Sequence, residues 1–318
     1  MSWQGVGAVT AVLIQVVLVV GGAPLLVGLM RQVRAGLEGR AGAGLVQPWR
    51  DLRKQWGREA IAPDGSSWVF TAAPPVLFAS TLIIAAAAPL VSTVSPLDGL
   101  ADLYAVVALL LLGTVAFALA GLDAGTPFGA MGAGRQWPVA ALAEPTILLA
   151  GLALSAPAAS VNLAAIVEAT VLTPTLVLSP AGLLAAVAFA VVVVAETGRL
   201  PLGNPGTHPE LTMTHEAMVL EYAGTDLAVV ELASAMRLTV LLGLGTSLFW
   251  PWGVATSATP GALVLAGCVL VVKVGLLGVA LATLEVFLTK LCVLRIPRLL
   301  PGSFLAGMLA VSASAWLA

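Results

Sequence analysis

Charged residues are scarce in this sequence. Only 9% of its 318 residues are Asp, Glu, Lys or Arg, whereas an ordinary soluble domain carries about a quarter. Hydrophobic residues make up 59% of the chain, and the mean hydropathy is +1.04. Because so few charges cannot cover the surface of a water-soluble domain, the composition excludes that class of protein.

Cysteine is scarce as well. The two cysteines, Cys268 and Cys292, have no second cysteine or histidine near them at metal-ligand spacing, so the chain cannot hold its own iron–sulfur cluster. A helix between them would keep them too far apart for a disulfide. We expect two free thiols, no metal site, no catalytic residue and no cofactor bound by this chain.

Long apolar runs are what the sequence has in abundance. A helix needs about 20 apolar residues to cross a bilayer, and the runs lack the alternation of barrel strands. The sequence therefore predicts an all-α membrane bundle that occupies 1–318 as a single domain. Its eight candidate spans lie near 6–30, 68–93, 101–121, 137–157, 178–197, 238–256, 261–287 and 302–318.

The basic residues are unevenly distributed between the loops. If the first run is a retained helix with its N-terminus outside, nearly all Lys and Arg residues share one side, and the opposite loops contain none. By the positive-inside rule, that side is cytoplasmic and both termini are extracytoplasmic in the cell membrane. The residues are Arg31, Arg34, Arg40, Arg50, Arg53, Lys54, Arg58, Arg135, Arg199, Arg237, Lys290, Arg295 and Arg298.

The first basic loop contains a candidate surface helix at 44–60, in "GLVQPWRDLRKQWGRE". Leu45, Trp49, Leu52 and Trp56 recur at helical spacing, while the basic side chains point mostly elsewhere. This pattern is typical of an amphipathic helix on the cytoplasmic leaflet, although a solvated loop is the alternative. Candidate docking residues here are Trp49, Arg50, Asp51 and Arg53.

An acidic loop at 198–237, directly after Glu196, concentrates polar chemistry. The window from Glu196 holds six of the chain's 16 carboxylates: Glu196, Glu210, Glu216, Glu221, Asp226 and Glu231. Thr207, Pro209 and Glu210 predict a helix start, with a helix to about 222. On that helix Glu210 and Glu221 would share a face, and Glu216 would point elsewhere.

Carboxylates placed beside apolar helices can pass protons, or they can simply face solvent. Two histidines, His208 and His215, lie seven residues apart in the same loop. No third metal ligand is identifiable, so a structural, hydrogen-bonding or docking role is expected for both. Arg199 is a further docking candidate.

Charges also occur inside the predicted spans. Glu144, Lys273 and Glu285 lie within apolar runs, where an unpaired charge costs at least a few kcal/mol. They are candidates for a proton path together with Glu196, Glu210, Glu216 and Glu221. The alternative is an interhelical ion pair, for example between Glu144 and Lys273.

Three motifs resemble a known family across most of the chain. They are "GLVQPWRDLRKQWGRE", "AEPTILL" around Glu144, and "AETGRLPLGNPGTHPELTMTHEAMVLEYAG". The family is the membrane protein shared by respiratory complex I, where it is mitochondrial subunit 1, and the group 4 membrane-bound NiFe hydrogenases. The third motif is more similar to the hydrogenase branch, of the formate hydrogenlyase subunit 4 type. One departure is Gly203, where the family usually has an aspartate, so the role of that side chain is not carried over.

The resemblance implies a non-catalytic anchor that couples electron transfer in a soluble arm to ion translocation. It implies soluble hydrogenase and iron–sulfur subunits on the cytoplasmic loops and antiporter-like membrane subunits at the sides. The iron–sulfur clusters and the NiFe centre would belong to those partners. A quinone-site component of NADH-quinone oxidoreductase, a stand-alone ion transporter and a passive anchor remain alternatives.

The charge asymmetry generates a topology prediction. In a variant without Cys268 and Cys292, a membrane-impermeant maleimide should label Arg40→Cys in inverted vesicles but not in intact cells. Ser95→Cys, in an opposite loop, should show the reverse pattern because the basic loops face the cytoplasm. Strong labelling of Arg40→Cys in intact cells would overturn the topology.

Overall fold

The computed structural model describes residues 3–197, 215–288 and 296–317, which form helices, turns and isolated bridges but no strand. The helices of these residues, numbered along the chain, are α1 (Trp3–Leu37), α2 (Gln47–Trp56), α3 (Trp68–Ala87), α4 (Leu103–Asp123), α5 (Pro127–Ala158), α6 (Leu163–Leu172), α7 (Thr175–Leu178), α8 (Pro180–Glu196), α9 (His215–Val219), α10 (Gly224–Phe249), α11 (Pro260–Leu288) and α12 (Ile296–Leu317).

The architecture is a multi-pass membrane bundle. In the described ranges, seven helices (α1, α3, α4, α5, α10, α11 and α12) are long and apolar enough to cross a bilayer. Helix α8 has 17 residues, which is about 26 Å at 1.5 Å per residue and close to the thickness of the hydrocarbon core. The predicted all-α bundle of about eight crossings is confirmed.

The bundle has two chemically different ends. At the basic end, α1, α4 and α8 finish and α5 and α10 begin, so Arg40, Arg50 and Arg135 lie there. At the opposite end, backbone bridges join Ser92 to Ala255 and Asp102 to Asn162. Which end faces the cytoplasm stays a prediction.

Two spans begin much earlier than the sequence predicted. Helix α5 starts at Pro127 rather than near 137, and α10 starts at Gly224 rather than near 238. Hydropathy misplaced the second boundary because Arg237 and the acidic residues before it lower the local average. Arg237 therefore lies inside a helix of the bundle, and its predicted position in a basic loop is wrong.

Polar caps mark where many helices begin. In each of five helices, the side chain of the residue before the helix accepts a hydrogen bond from a backbone N–H of the first turn. These bonds satisfy donors that have no partner within the helix, which matters most near lipid. The caps are Ser67 (α3), Asp102 (α4), Thr126 (α5), Asn162 (α6) and Ser179 (α8).

A buried glutamine fastens α1 to the end of α3. The Gln15 amide donates to the carbonyls of Ala85 (2.7 Å) and Ala88 (2.6 Å) and accepts from the N–H groups of Leu90 (3.2 Å) and Val91 (3.0 Å). All four hydrogen-bonding positions of the amide are used. This network satisfies the terminal backbone groups of α3 inside the bundle.

Helix α2 lies against α1 and α10. The Trp49 indole N–H donates to the Gly21 carbonyl at 3.2 Å, and Leu52 is buried. A side chain at Gly28 would collide with the Leu45 carbonyl before α2, and one at Gly224 would collide with the Glu59 carbonyl after it. The backbone before α2 therefore packs closely on α1, and the backbone after α2 packs closely on α10.

Candidate functional site

A buried charge cluster lies where α4, α5, α8 and α10 meet. Its members are Thr114, Glu144, Glu196 and Arg237, one from each helix. The side chains of Glu144 and Glu196 are 3% and 1% exposed, and that of Arg237 is 12% exposed. Thr114 lies nine residues from the basic end of α4, about 14 Å along the axis, so the cluster sits at membrane depth.

Thr114 is at the centre of the contacts. The Arg237 Nη2 atom donates to the Thr114 Oγ1 atom at 2.7 Å and forms an ion pair with Glu196 Oε1. The Thr114 hydroxyl lies 3.0 Å from Glu144 Oε1 and 3.5 Å from Glu196 Oε1. The distance from Arg237 Nη2 to Glu144 Oε1 is 3.8 Å. One guanidinium is therefore paired directly with Glu196 and only loosely with Glu144.

The charges of the cluster do not balance. Two ionised carboxylates and one guanidinium leave one net negative charge, which burial in low dielectric penalises strongly. Within the described residues, Glu144 Oε2 and Glu196 Oε2 are buried without a hydrogen-bond partner. A single proton shared between the two carboxylates would remove this imbalance.

The local sequence makes room for this cluster. A side chain at Gly113 would come within 3.0 Å of Leu77 and Ser80 and 3.5 Å of Arg237 Nη1, so the missing Cβ lets the guanidinium approach α4. Pro145 follows Glu144 and lacks an N–H, which leaves the carbonyl four residues earlier without its helical donor. Glu196 is the last residue of α8, so the stretch that leads from α8 to α10, called the acidic segment below, begins directly at the cluster.

His215 contacts two residues that each lie one helical turn from a cluster member: Ser234, near Arg237 on α10, and Phe117, near Thr114 on α4. Its Nε2 atom is 3.0 Å from Ser234 Oγ, and its ring is 4.9 Å from the Phe117 ring. Because Ser234 donates its own proton to the Val230 carbonyl at 2.8 Å, we infer that the imidazole is protonated at Nε2. Desolvation and the Arg237 charge lower the pKa of His215 to about 4, so it is neutral at pH 7.

Aromatic packing fixes the end of the acidic segment. Tyr222 stacks on Phe70 with ring centroids 4.2 Å apart, and its hydroxyl donates to the Phe70 carbonyl at 3.0 Å. Burial raises the pKa of the Tyr222 phenol, which keeps it a hydrogen-bond donor. A cavity of about 530 Å³ lies beyond Tyr222, between the end of α2 and the start of α10.

The structure brings some predicted path residues together and separates others. Glu144 and Glu196 share the cluster, but the suggested Glu144–Lys273 pair is wrong. Lys273 donates to the carbonyls of Trp250 and Trp252 after the end of α10, at the opposite end of the bundle. A cation at a helix C-terminus is favourable, and a long lysine can reach it from the apolar zone.

The other described path residues lie towards the basic end. Glu285 is buried and forms an ion pair with Arg34 of α1. Glu216 is exposed on α9, and Glu221 is partly buried in the turn after it. The described helical part of the segment is His215–Val219. Glu210, Arg199 and His208, and the first half of the helix predicted to 222, lie outside the described residues, and the described half is helical only as far as Val219.

The predicted docking residues of the first basic loop divide between bundle and solvent. Trp49 packs against the bundle, and Asp51 accepts a hydrogen bond from Gln47 at 2.8 Å. Arg50 and Arg53 are exposed, and Trp56 is 43% exposed. The outer face of α2 therefore presents basic and aromatic groups, and the docking role of this face stays a prediction.

Two members of the cluster escaped prediction from the sequence. The position of Arg237 inside a helix had a usable signal. Asp226 suits the first turn of a helix that starts at Gly224, and Arg237 lies 13 residues after Gly224. Thr114 had no signal, since a lone hydroxyl in an apolar run is ordinary. Across the described ranges, no three His, Cys, Asp or Glu side chains gather at metal-binding distance.

Fold and cluster together define a multi-pass helical membrane protein organised around a buried, charge-imbalanced site. The chain belongs to the NADH dehydrogenase family, which matches residues 9–313. This confirms the family that the motifs suggested.

Relatives of both branches are found. Formate hydrogenlyase subunit 4 of Escherichia coli is 37% identical over 272 residues, which cover 85% of this chain and 87% of that protein. Hydrogenase-4 component C of the same organism is 34% identical, with 82% of each chain covered. On the complex I side, an NADH-quinone oxidoreductase subunit of Rickettsia prowazekii is 28% identical, covering 70% of this chain and 65% of its own.

A solved structure shares the fold. A chain of the membrane-bound sulfane sulfur reductase, an archaeal respiratory membrane complex, superposes with a TM-score of 0.78 over 97% of this chain and 99% of its own. Its sequence identity is 18%, so this likeness concerns the fold alone.

The ion pair generates a stability prediction. Arg237→Met should destabilise the protein by about 3–5 kcal/mol, because it leaves two buried carboxylates without their cation. In double-mutant cycles, Arg237 should couple more strongly to Glu196 than to Glu144, since only Glu196 is paired directly. The free energy of unfolding in mixed micelles, determined for the single and double variants, gives both the destabilisation and the coupling energies. Exposed Arg40→Met is the control, with a change within about 0.5 kcal/mol, and equal coupling to both carboxylates would contradict the geometry.

The shifted histidine generates a pH prediction. The pKa of His215 is lowered in the folded state to about 4 from its ordinary value of 6.5. The unfolded state therefore binds a proton that the folded state does not, and stability falls as pH drops from 6.5 towards 4. By pH 5 the loss should be about 2 kcal/mol relative to His215→Asn, which cannot titrate. The measurement is the melting temperature of each protein as a function of pH. If the two melting temperatures fall in parallel between pH 6.5 and pH 4, the prediction is wrong.

Proposed function

We propose that this chain is the membrane anchor and proton-coupling subunit of a membrane oxidoreductase complex of the group 4 NiFe hydrogenase type. It links electron transfer in a soluble arm to ion translocation and ligates no redox centre itself. The observation that carries this proposal is the cluster of Glu144, Thr114, Arg237 and Glu196, in which two buried carboxyl groups share one guanidinium.

The cluster has the properties of a switchable proton site. Arg237 compensates the charge of Glu196, so the proton is held most readily by Glu144. A small movement of the guanidinium from Glu196 towards Glu144, now 3.8 Å away, reverses that preference. Since a buried carboxylate responds strongly to the position of one cation, such a movement releases a proton from one acid and binds it at the other.

The acidic segment is placed to drive this movement. It begins at Glu196, a cluster member, and its described part returns at His215 beside Ser234, one turn from Arg237. A change in this segment therefore acts on both sides of the Arg237–Glu196 pair. The segment ends at Tyr222, which lines the cavity beside α2, so a disturbance at the basic end has a short structural path to the cluster.

The surfaces suit the proposed partners. Exposed Arg50, Arg53 and Lys54 on α2 complement an acidic soluble subunit, and exposed Trp56 offers an aromatic contact. Relatives named for formate hydrogenlyase and hydrogenase-4 support hydrogenase subunits as these partners, and soluble iron–sulfur subunits are proposed beside them from the family resemblance. The iron–sulfur clusters and NiFe centre belong, in this proposal, to those subunits, and antiporter-like subunits pack against the lipid-exposed sides.

A quinone-site subunit is the second candidate function, and the cavity favours it. The cavity lies between the surface helix and the acidic segment, its volume suits a small organic ligand, and its lining residues include Ile61, Leu227 and Tyr222. A quinone-reducing complex should show quinone-dependent electron transfer after purification, and a hydrogenase-type complex should not. A stand-alone transporter would instead move ions when this chain alone is placed in liposomes.

The proposal predicts the effect of removing a titratable proton from the cluster. Glu144→Gln or Glu196→Gln should leave the complex assembled and reduce turnover-linked ion uptake at least tenfold, because a carboxamide keeps the shape but cannot exchange the proton. Electron transfer by the detached soluble arm should be unchanged. Ion uptake by inverted vesicles during turnover is the measurement.

Glu168→Gln is the matched control, since Glu168 is exposed on α6 at the opposite end of the bundle. The control should behave as wild type. Glu221→Gln tests whether the proton path continues through the acidic segment. Wild-type ion uptake in both Glu144→Gln and Glu196→Gln would refute the proposed function.

A further inference from the structure

The Thr114 hydroxyl is a neutral group that contacts every charged member of the cluster. It accepts from Arg237 Nη2 at 2.7 Å and lies within hydrogen-bond distance of both Glu144 Oε1 and Glu196 Oε1. We propose that Thr114 is a positioning residue that balances the two buried carboxylates, so that their shared proton can move between them. This inference rests on the proposed function and names the residue that regulates its site.

The geometry limits what the hydroxyl can do. A threonine hydroxyl has a single proton to donate, and either of its two lone pairs can accept the bond from Arg237. The proton then has three possible acceptors: Glu144 Oε1 at 3.0 Å, the Leu110 carbonyl at 3.0 Å and Glu196 Oε1 at 3.5 Å. Rotation about the Cβ–Oγ bond moves the proton from one acceptor to another without moving a heavy atom.

The two carboxylates have different stabilising partners. Arg237 pairs directly with Glu196 and favours its ionised form, which places the proton on Glu144. A hydroxyl that donates to Glu144 favours the ionised form of that group instead. Thr114 therefore opposes the bias that Arg237 imposes. Without the hydroxyl, the proton should stay trapped on Glu144.

Other buried threonines have simpler surroundings. Thr81 on α3 and Thr146 on α5 donate to the carbonyl four residues earlier in their own helices, at 2.7 and 2.6 Å. Such bonds satisfy the hydroxyl inside an apolar helix and need no side-chain partner. Thr114 makes the same bond to Leu110 and has three charged neighbours in addition. The extra contacts distinguish it from a threonine that merely packs.

The titratable groups around Thr114 come from four helices. They are Glu144 from α5, Glu196 from α8, Arg237 from α10 and the neutral His215 from α9. The described side chains of α3 and α12 contribute no titratable group to this region. A pH-dependent effect of changing Thr114 therefore reports on these four groups.

The experiment compares Thr114→Val, Thr114→Ala and Thr114→Ser in the assembled complex, with Thr81→Val as the matched control. Turnover-linked ion uptake by inverted vesicles is measured against pH. Infrared difference spectra follow the carboxylic acid C=O band that Glu144→Gln abolishes. Both variants without the hydroxyl should lower uptake about tenfold and move its pH profile to higher pH by about one unit, the effect of one hydrogen bond to a charged group.

Thr114→Ser and Thr81→Val show whether the Thr114 hydroxyl acts by positioning the carboxylates or whether the side chain only fills space. Thr114→Ser keeps the hydroxyl and should restore uptake and the pH profile, and Thr81→Val should match wild type. In the infrared titration, the Glu144 acid band should persist to higher pH in Thr114→Val. Two variants without the hydroxyl make the test independent of whether valine or alanine packs better.

The outcomes distinguish the inference from the function on which it rests. If Glu144→Gln abolishes uptake but Thr114→Val and Thr114→Ala keep the wild-type pH profile, the inference is wrong and the proposed function stands. Equal loss in Thr114→Ser and Thr114→Val indicates a packing role and also overturns the inference. If Glu144→Gln and Glu196→Gln both leave uptake unchanged, the proposed function itself fails.

Discussion

The pairing of Arg237 with two buried carboxylates is the interaction on which the rest of the structure depends. A guanidinium at membrane depth is tolerated only when its charge is compensated by ionic and hydrogen-bonding partners. Those partners come from α4, α5 and α8, so the four helices have one polar meeting point in an otherwise apolar bundle. Apolar packing alone would allow these helices to rotate or slide, because lipid and side chains are equally apolar.

The imbalance within this cluster is what suits it to a function. A structural ion pair would be stable with one acid and one base, but here a second carboxylate is buried beside the first. The second acid adds a desolvation cost that stability does not require. Such a cost is expected where a site must hold and release a proton, and it argues against a passive anchor.

The elements at the basic end connect this site to the surface. Gly28 and Gly224 bring the backbone flanking α2 into close contact with α1 and α10, and α10 carries Arg237 on its inner face. Phe70, Phe117 and Tyr222 pack the acidic segment onto α3 and α4. The surface helix and the acidic segment are therefore joined to the same helices that hold the cluster, so a partner bound there would be mechanically close to the buried charges.

The sequence by itself determined the class of the protein. Composition excluded a soluble domain, run lengths set about eight crossings, and the motifs around Trp49, Glu144 and Glu196 placed the chain in its family. It also identified Glu144 as unusual, because an ionisable residue among apolar residues is costly wherever the helix packs, and it named Glu196 as a path candidate beside the acidic loop.

Only the tertiary structure decided which of these charges meet. Hydropathy ended the loop after Arg237, yet the helix begins at Gly224, because a charge lowers local hydropathy whether or not a partner neutralises it. The same limit produced the false pairing of Glu144 with Lys273 and hid Thr114. Contacts between helices are set by packing between segments distant in the chain, and sequence periodicity describes only one helix at a time.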